Sequence, residues 1–134
     1  MKNFGYKLGD KQTILVPKDL KNSDTYYWRK ALKYHLCNKF NYTSDLSGTP
    51  FKVCHLHEGI LTRANVPKSL SWQWMIFHEY NCFLLTPEEH IPNPPSREWA
   101  VQKSFDKYGI DNVIQWFYSL PFKYHPFRIE SYAC

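Results

Sequence analysis

The sequence predicts an α+β chain, and three observations carry that prediction. Apolar residues recur every fourth position at Trp28, Leu32, Leu36 and Phe40, the stripe of an amphipathic helix. Two short apolar stretches, residues 51–56 and 82–85, have the length and the turn-rich flanks of strands. Beyond the break at Ile91-Pro92-Asn93-Pro94-Pro95, two further helical stripes follow, Val101/Phe105/Tyr108 and Val113/Phe117/Leu120.

The elements follow in order. Residues 1–22 hold Gly5, Gly9 and Pro17 around Thr13-Ile14-Leu15-Val16, which reads as an extended arm or an edge strand. Ser23 or Asp24 can cap a helix over 23–40. Its lysines Lys30, Lys33 and Lys39 lie mainly off the apolar stripe, giving a basic outer face that is either simply solvated or turned to a polyanion. Residues 41–50 are rich in Ser, Asp, Gly and Pro and read as a loop. The stretch 51–56 is expected to be a strand with Phe51 and Val53 on one face, ended or bent by Gly59. The aromatic run 71–78 fits a strand or a helix, and its rings fit a packing lid better than a base-stacking platform. Cys82-Phe83-Leu84-Leu85 is a compact strand stopped by Pro87, and His90 falls on a short helical turn after it. Ser96 is a good N-cap for the next helix and Gly109 a good C-terminal stop. Asp111 can cap the last helix, which Pro121 ends.

Composition narrows the class. The 134 residues suit one domain, and with 43% hydrophobic and 18% aromatic residues there is enough apolar surface for a real core. A formal net charge of +5 suits a polyanionic partner and is also common without one. The four cysteines, Cys37, Cys54, Cys82 and Cys134, contain no C-x-x-C pair, which argues against a zinc ribbon or a thioredoxin-like site. No apolar run is long enough to span a bilayer. The expectation is an intracellular protein without a membrane partner and with reduced thiols.

The chemistry concentrates in Cys54-His55-Leu56-His57-Glu58-Gly59 and in the stretch from Asn81 to His90. Imidazoles and a carboxylate end one strand, an amide opens the next, and a His follows that Asn at a distance of one strand and one turn. This arrangement resembles the HNH (ββα-metal) endonucleases. The text His57-Glu58-Gly59-Ile60 through Thr62-Arg63 is similar to HNH proteins encoded by phages. The resemblance spans residues 51–90 well and 96–120 only generally. It implies a small ββα-metal core over 51–91 wrapped by the helices of 23–40 and 96–120, all in a single HNH-type domain.

The resemblance also implies roles. His57 and His90 would hold one divalent metal ion, Mg²⁺, Mn²⁺, Ni²⁺ or Zn²⁺. Asn81 would orient the base by hydrogen-bonding nearby backbone. The general base is Glu58 in one register; His55, on the same strand face as His57, is the other candidate base or an added ligand. Arg63 is a candidate DNA-phosphate contact, the alternative being a solvated cation. Glu88 and Glu89 can add a ligand or face solvent. Thr86 and Glu89 stand where many HNH proteins carry zinc-binding cysteines, so a structural zinc is not expected there. His35, His78 and His125 read as structural.

The implied function is metal-dependent hydrolysis of DNA phosphodiester bonds in the cytoplasm of a bacterial or phage-infected cell. The ββα helix would lie near the minor groove while the metal meets the scissile phosphate. A non-catalytic nucleic-acid-binding module with a degenerate HNH frame is the competing expectation, kept open by Glu58 at a place where the family has His. Hydrolysis of another phosphoester is a third.

Overall fold

A computed structural model describes residues 3–7, 13–17, 25–69 and 72–133. The proposed caps Ser23 and Asp24, and the terminal Cys134, lie outside the described residues. The described chain is α+β. Two antiparallel pairs of short strands, β1 (Asn3–Lys7) with β2 (Thr13–Pro17) and β3 (His55–Glu58) with β4 (Cys82–Leu85), accompany five helices. These are α1 (Thr25–Lys39), α2 (Gln73–Ile76), α3 (Pro87–His90), α4 (Arg97–Tyr108) and α5 (Ile110–Ser119). Among the described residues no helix is long and apolar enough to cross a membrane.

The strand β4 organises the core. All four of its residues are buried, which is why it reads as an unbroken apolar run and not as an alternation. Helix α1 packs on it through the expected stripe: Leu32 and Leu36 are fully buried, Trp28 nearly so, and Phe40 packs at the margin. On the other side Phe83 meets Trp99 of α4 edge-on, with ring centroids 5.3 Å apart. Val101 and Phe105 of α4 and Val113, Phe117 and Leu120 of α5 complete the core, as their helical spacing requires.

A buried ion pair ties the loop after α1 to this centre. Asp45 accepts a hydrogen bond from the Leu84 amide at 2.7 Å and an ion-pair bond from Lys107 at 2.9 Å. Its own amide donates to the Leu84 carbonyl, so the loop satisfies the backbone of β4 on the side that lacks a strand. Burial pulls the Lys107 ammonium below its ordinary pKa, and the Asp45 carboxylate opposes that shift.

Several local expectations are corrected. The strand expected over 51–56 begins only at His55; Phe51 is half-buried and Val53 is 65% exposed, so residues 51–54 are a bent approach to the strand. The aromatic run holds the one-turn helix α2, with Gln73, Met75 and Ile76 buried and Trp74 exposed. Ser96 caps α4 by accepting from the Trp99 amide, as expected. Asp111 does not cap α5: the helix starts at Ile110 directly after Gly109, whose φ of 94° ends α4 and turns the chain. Asp111 sits instead in the first turn, where its charge suits the helix dipole.

Candidate active site

The register of the β3–β4 hairpin places the imidazoles. His55 lies opposite Leu85, His57 opposite Phe83 and Glu58 opposite Cys82. Alternation puts His55 and His57 on one face and Leu56 and Glu58 on the other. After β4, Thr86 starts α3 with a capping box: its hydroxyl accepts from the Glu89 amide, and the Glu89 carboxylate accepts from the Thr86 amide at 2.8 Å. Pro87 stands in the first turn, where its missing N–H costs nothing. This one rigid turn carries His90 back over the His55/His57 face.

The three rings meet there. His55 Nδ1 and His90 Nδ1 are 3.0 Å apart, and the His57 and His90 ring centroids are 5.3 Å apart. His57 Nε2 is buried and has no hydrogen-bond partner, while the Pro95 backbone takes a bond from the same imidazole. A buried imidazole nitrogen without a hydrogen-bond partner is one that could ligate a cation. Among the described residues, however, no three His, Cys, Asp or Glu side chains stand together in the geometry of a metal cage.

Electrostatics favour the neutral form of His57 and His90. Burial lowers the His57 pKa and the neighbouring His90 lowers it further, against the pull of the Pro95 hydrogen bond. Burial likewise lowers His90, with His55 adding to the shift. Glu58 is pushed the opposite way for a carboxyl, upward by burial, and the Arg29 guanidinium partly offsets this. Imidazoles shifted toward the neutral form beside a carboxyl shifted upward are suited to ligating a cation and to accepting a proton.

A cleft of about 490 Å³ opens over these groups, lined by Arg29 and Lys33 from α1, by His55, Leu56, His57 and Glu58, and by His90 with Ile91. Side chains from both faces of β3 line it, so the cleft straddles the strand. Asn81 stays below it, fully buried, and fixes the turn after β3. Its Oδ1 accepts from the Ile60 and Leu61 amides at 3.2 and 2.6 Å, and its Nδ2 donates to the Leu61 and Ile76 carbonyls, both at 2.9 Å. Gly59, in the same turn, leaves no room for a side chain: a Cβ there would stand 2.5 Å from the Ala100 Cβ.

The sequence-predicted residues therefore divide. His55, His57, Glu58 and His90 share the cleft, and Asn81 supports it from the core. Arg63 does not line the cleft; it lies on a 3₁₀ turn with its guanidinium 4.6 Å from the centre of the Trp72 ring. Glu89 is occupied in the α3 cap and accepts from Ser44 at 2.6 Å, and Glu88 is exposed. His35 faces Glu79 at 3.4 Å, His78 stacks on Trp116, and His125 bonds the Phe117 carbonyl. Arg29 belongs to no motif in the sequence; its only local signal is its place one turn before Lys33 on a helix without Asp or Glu. Comparison of the chain with protein-family models, curated proteins and solved structures gives no match.

Proposed function

We propose that this chain is a metal-dependent DNA endonuclease of the HNH type, with β3, β4 and α3 as its ββα-metal unit. The observation that carries the reading is the meeting of His55, His57 and His90 in one cleft with Glu58, above a buried Asn81 that fixes the adjoining turn.

The chemistry of the donors suits a divalent cation, although the three rings do not stand in the geometry of a closed cage. His57 offers a buried, unpartnered nitrogen. The His55 and His90 nitrogens are 3.0 Å apart, close to the about 3 Å that separates two ligands at right angles around one ion with bonds of about 2.1 Å. His57 and His90 are assigned as ligands, and the short His55–His90 approach favours His55 as the added ligand. An imidazole set suits Mn²⁺, Ni²⁺ or Zn²⁺ better than Mg²⁺, which prefers oxygen. When bound, the cation supplies positive charge to a phosphodiester as charge builds on its oxygens.

The chain's own groups do the rest. Glu58 is the general base: its carboxylate takes the proton from the attacking water, and its raised pKa makes it a stronger acceptor than a free carboxylate. Asn81 holds the Ile60–Leu61 backbone that follows Glu58, which fixes where the carboxylate can sit.

Plasmid nicking by the pure protein tests this, with EDTA, Mg²⁺, Mn²⁺, Ni²⁺ and Zn²⁺ in parallel and His57→Ala and His90→Ala beside wild type. Metal-dependent nicking that both variants lose supports the reading. DNA binding with no cutting under any metal overturns it in favour of a binding module.

A further inference from the structure

The ββα segment forms only one side of the cleft. The other side is α1, which lies outside the stretch that carries the HNH resemblance. We propose that α1 is a phosphate-gripping wall, with Arg29 and Lys33 contacting backbone phosphates of the DNA strand that lies in the cleft.

Four observations lead there. Arg29 and Lys33 both line the cleft opposite the imidazoles. They are four residues apart on one helix, so they stand one above the other on one side of it. That helix is seated on the core by fully buried Leu32 and Leu36, so the two cations sit on a fixed support and not on a loop. Its 15 residues include no carboxylate, and the ion pairs among the described residues engage Lys39, Lys107, Arg128 and His35 but neither Arg29 nor Lys33. Against these two cations the cleft sets one carboxyl, Glu58. A cleft lined by one dominant sign concentrates a polyanion. A guanidinium and an ammonium are the groups that pair with phosphate oxygens, the first as a fork and the second as a point charge.

This inference rests on DNA as the ligand, and it does not need the strand to be cut. Arg29 and Lys33 are positioning residues: they set where the strand lies and do not touch the reacting water.

The test is binding of a short mixed-sequence duplex and of its single strand by the whole chain in EDTA, across a salt series. Wild type is compared with Arg29→Gln/Lys33→Gln, with Arg29→Lys, and with Lys123→Gln as an exposed charge control outside the cleft. Each lost phosphate contact lowers the slope of log affinity against log salt by about 0.9 on a duplex and about 0.7 on a single strand. The double variant is expected to lose nearly two contacts' worth of slope, with Lys123→Gln unchanged and Arg29→Lys close to wild type. Thermal melting guards against a folding defect, since Arg29 is exposed and Lys33 half-buried. A double variant with an unaltered melt and the wild-type slope overturns the inference, even if wild type nicks DNA. A reduced slope in a protein that nicks nothing keeps the inference and removes the nuclease reading. Absence of any DNA binding by wild type overturns both.

Discussion

His55 Nδ1 and His90 Nδ1 stand 3.0 Å apart, although 35 residues separate them in the chain. Without a metal, that distance is a hydrogen bond between two imidazoles, one of which must donate. In the proposed metal-bound state both nitrogens would give their lone pairs to the cation, and the proton between them would move to the far nitrogen of its own ring. On the proposed reading, ion binding would replace that hydrogen bond with two metal–nitrogen bonds.

Metal should accordingly stabilise the fold. Mn²⁺, Ni²⁺ or Zn²⁺ at a hundredfold above its dissociation constant adds about 2.7 kcal/mol, a rise in Tm on the order of 10 °C for a chain of this size. His57→Ala and His90→Ala should lose most of that rise, and Mg²⁺ should give less of it. Calorimetric melting of EDTA-treated protein with each metal added back checks this. A full rise in His57→Ala would remove His57 from the ligand set.

The proposed base can be separated from the proposed ligands by the same pair of readouts. Glu58→Gln keeps shape and volume but cannot take a proton. It should leave the metal-induced rise in Tm intact while nicking falls by about 10²–10⁴-fold. His55→Gln should weaken metal binding along with nicking. The reverse pattern, with Glu58→Gln active and His55→Gln inactive but fully metal-loaded, would assign the proton transfer to His55.

Much of the scaffold could be read from local pattern, and the exceptions share a cause. Leu32, Leu36, Val101, Val113 and Phe117 are buried as their helical spacing indicates, and the continuous apolar text of Cys82–Leu85 matches a strand covered on both faces. His90 lies on the short helical turn expected after the strand that Pro87 stops. What local pattern did not contain was set by tertiary contact. Asp45 looks like any loop aspartate, yet it is buried because Lys107, 62 residues away, reaches it. Residues 51–54 have strand-like composition but no partner strand among the described residues, so they do not form one. Arg29 faces Glu58 only because α1 folds across the hairpin. Arg63 had the right charge, but it lies over the Trp72 ring and does not line the cleft.

Asn81 is expected to matter first for stability and only then for chemistry. Asn81→Ala strips partners from the buried Ile60 and Leu61 amides and the Leu61 and Ile76 carbonyls at once. Each buried group left unpaired costs about 1–3 kcal/mol, so a loss of about 3–5 kcal/mol is expected, allowing for partial rescue by water. Urea unfolding of metal-free protein measures it. A loss below about 1 kcal/mol would mean the turn after β3 does not depend on this amide, and Asn81 would then need a different role.

The pH dependence of metal-free stability follows from the sign of each shift. His57 and His90 have folded-state pKa values below the ordinary 6.5. As pH falls through that value the unfolded chain takes up protons that the folded chain refuses, so stability is full above 6.5 and declines below it. Glu58 acts in the opposite sense, since its folded-state pKa lies above 4.5. Its contribution is complete below 4.5 and is lost as pH rises through its folded-state pKa. In EDTA, Tm should therefore fall from about pH 7 to about pH 5 in wild type, fall less in His57→Asn/His90→Asn, and fall at least as steeply in Glu58→Gln. A double His variant that loses Tm as steeply as wild type would show that these imidazoles are not the groups buried neutral. With saturating Zn²⁺ the onset of the decline should move to lower pH, because protons must then compete with the cation for the same nitrogens.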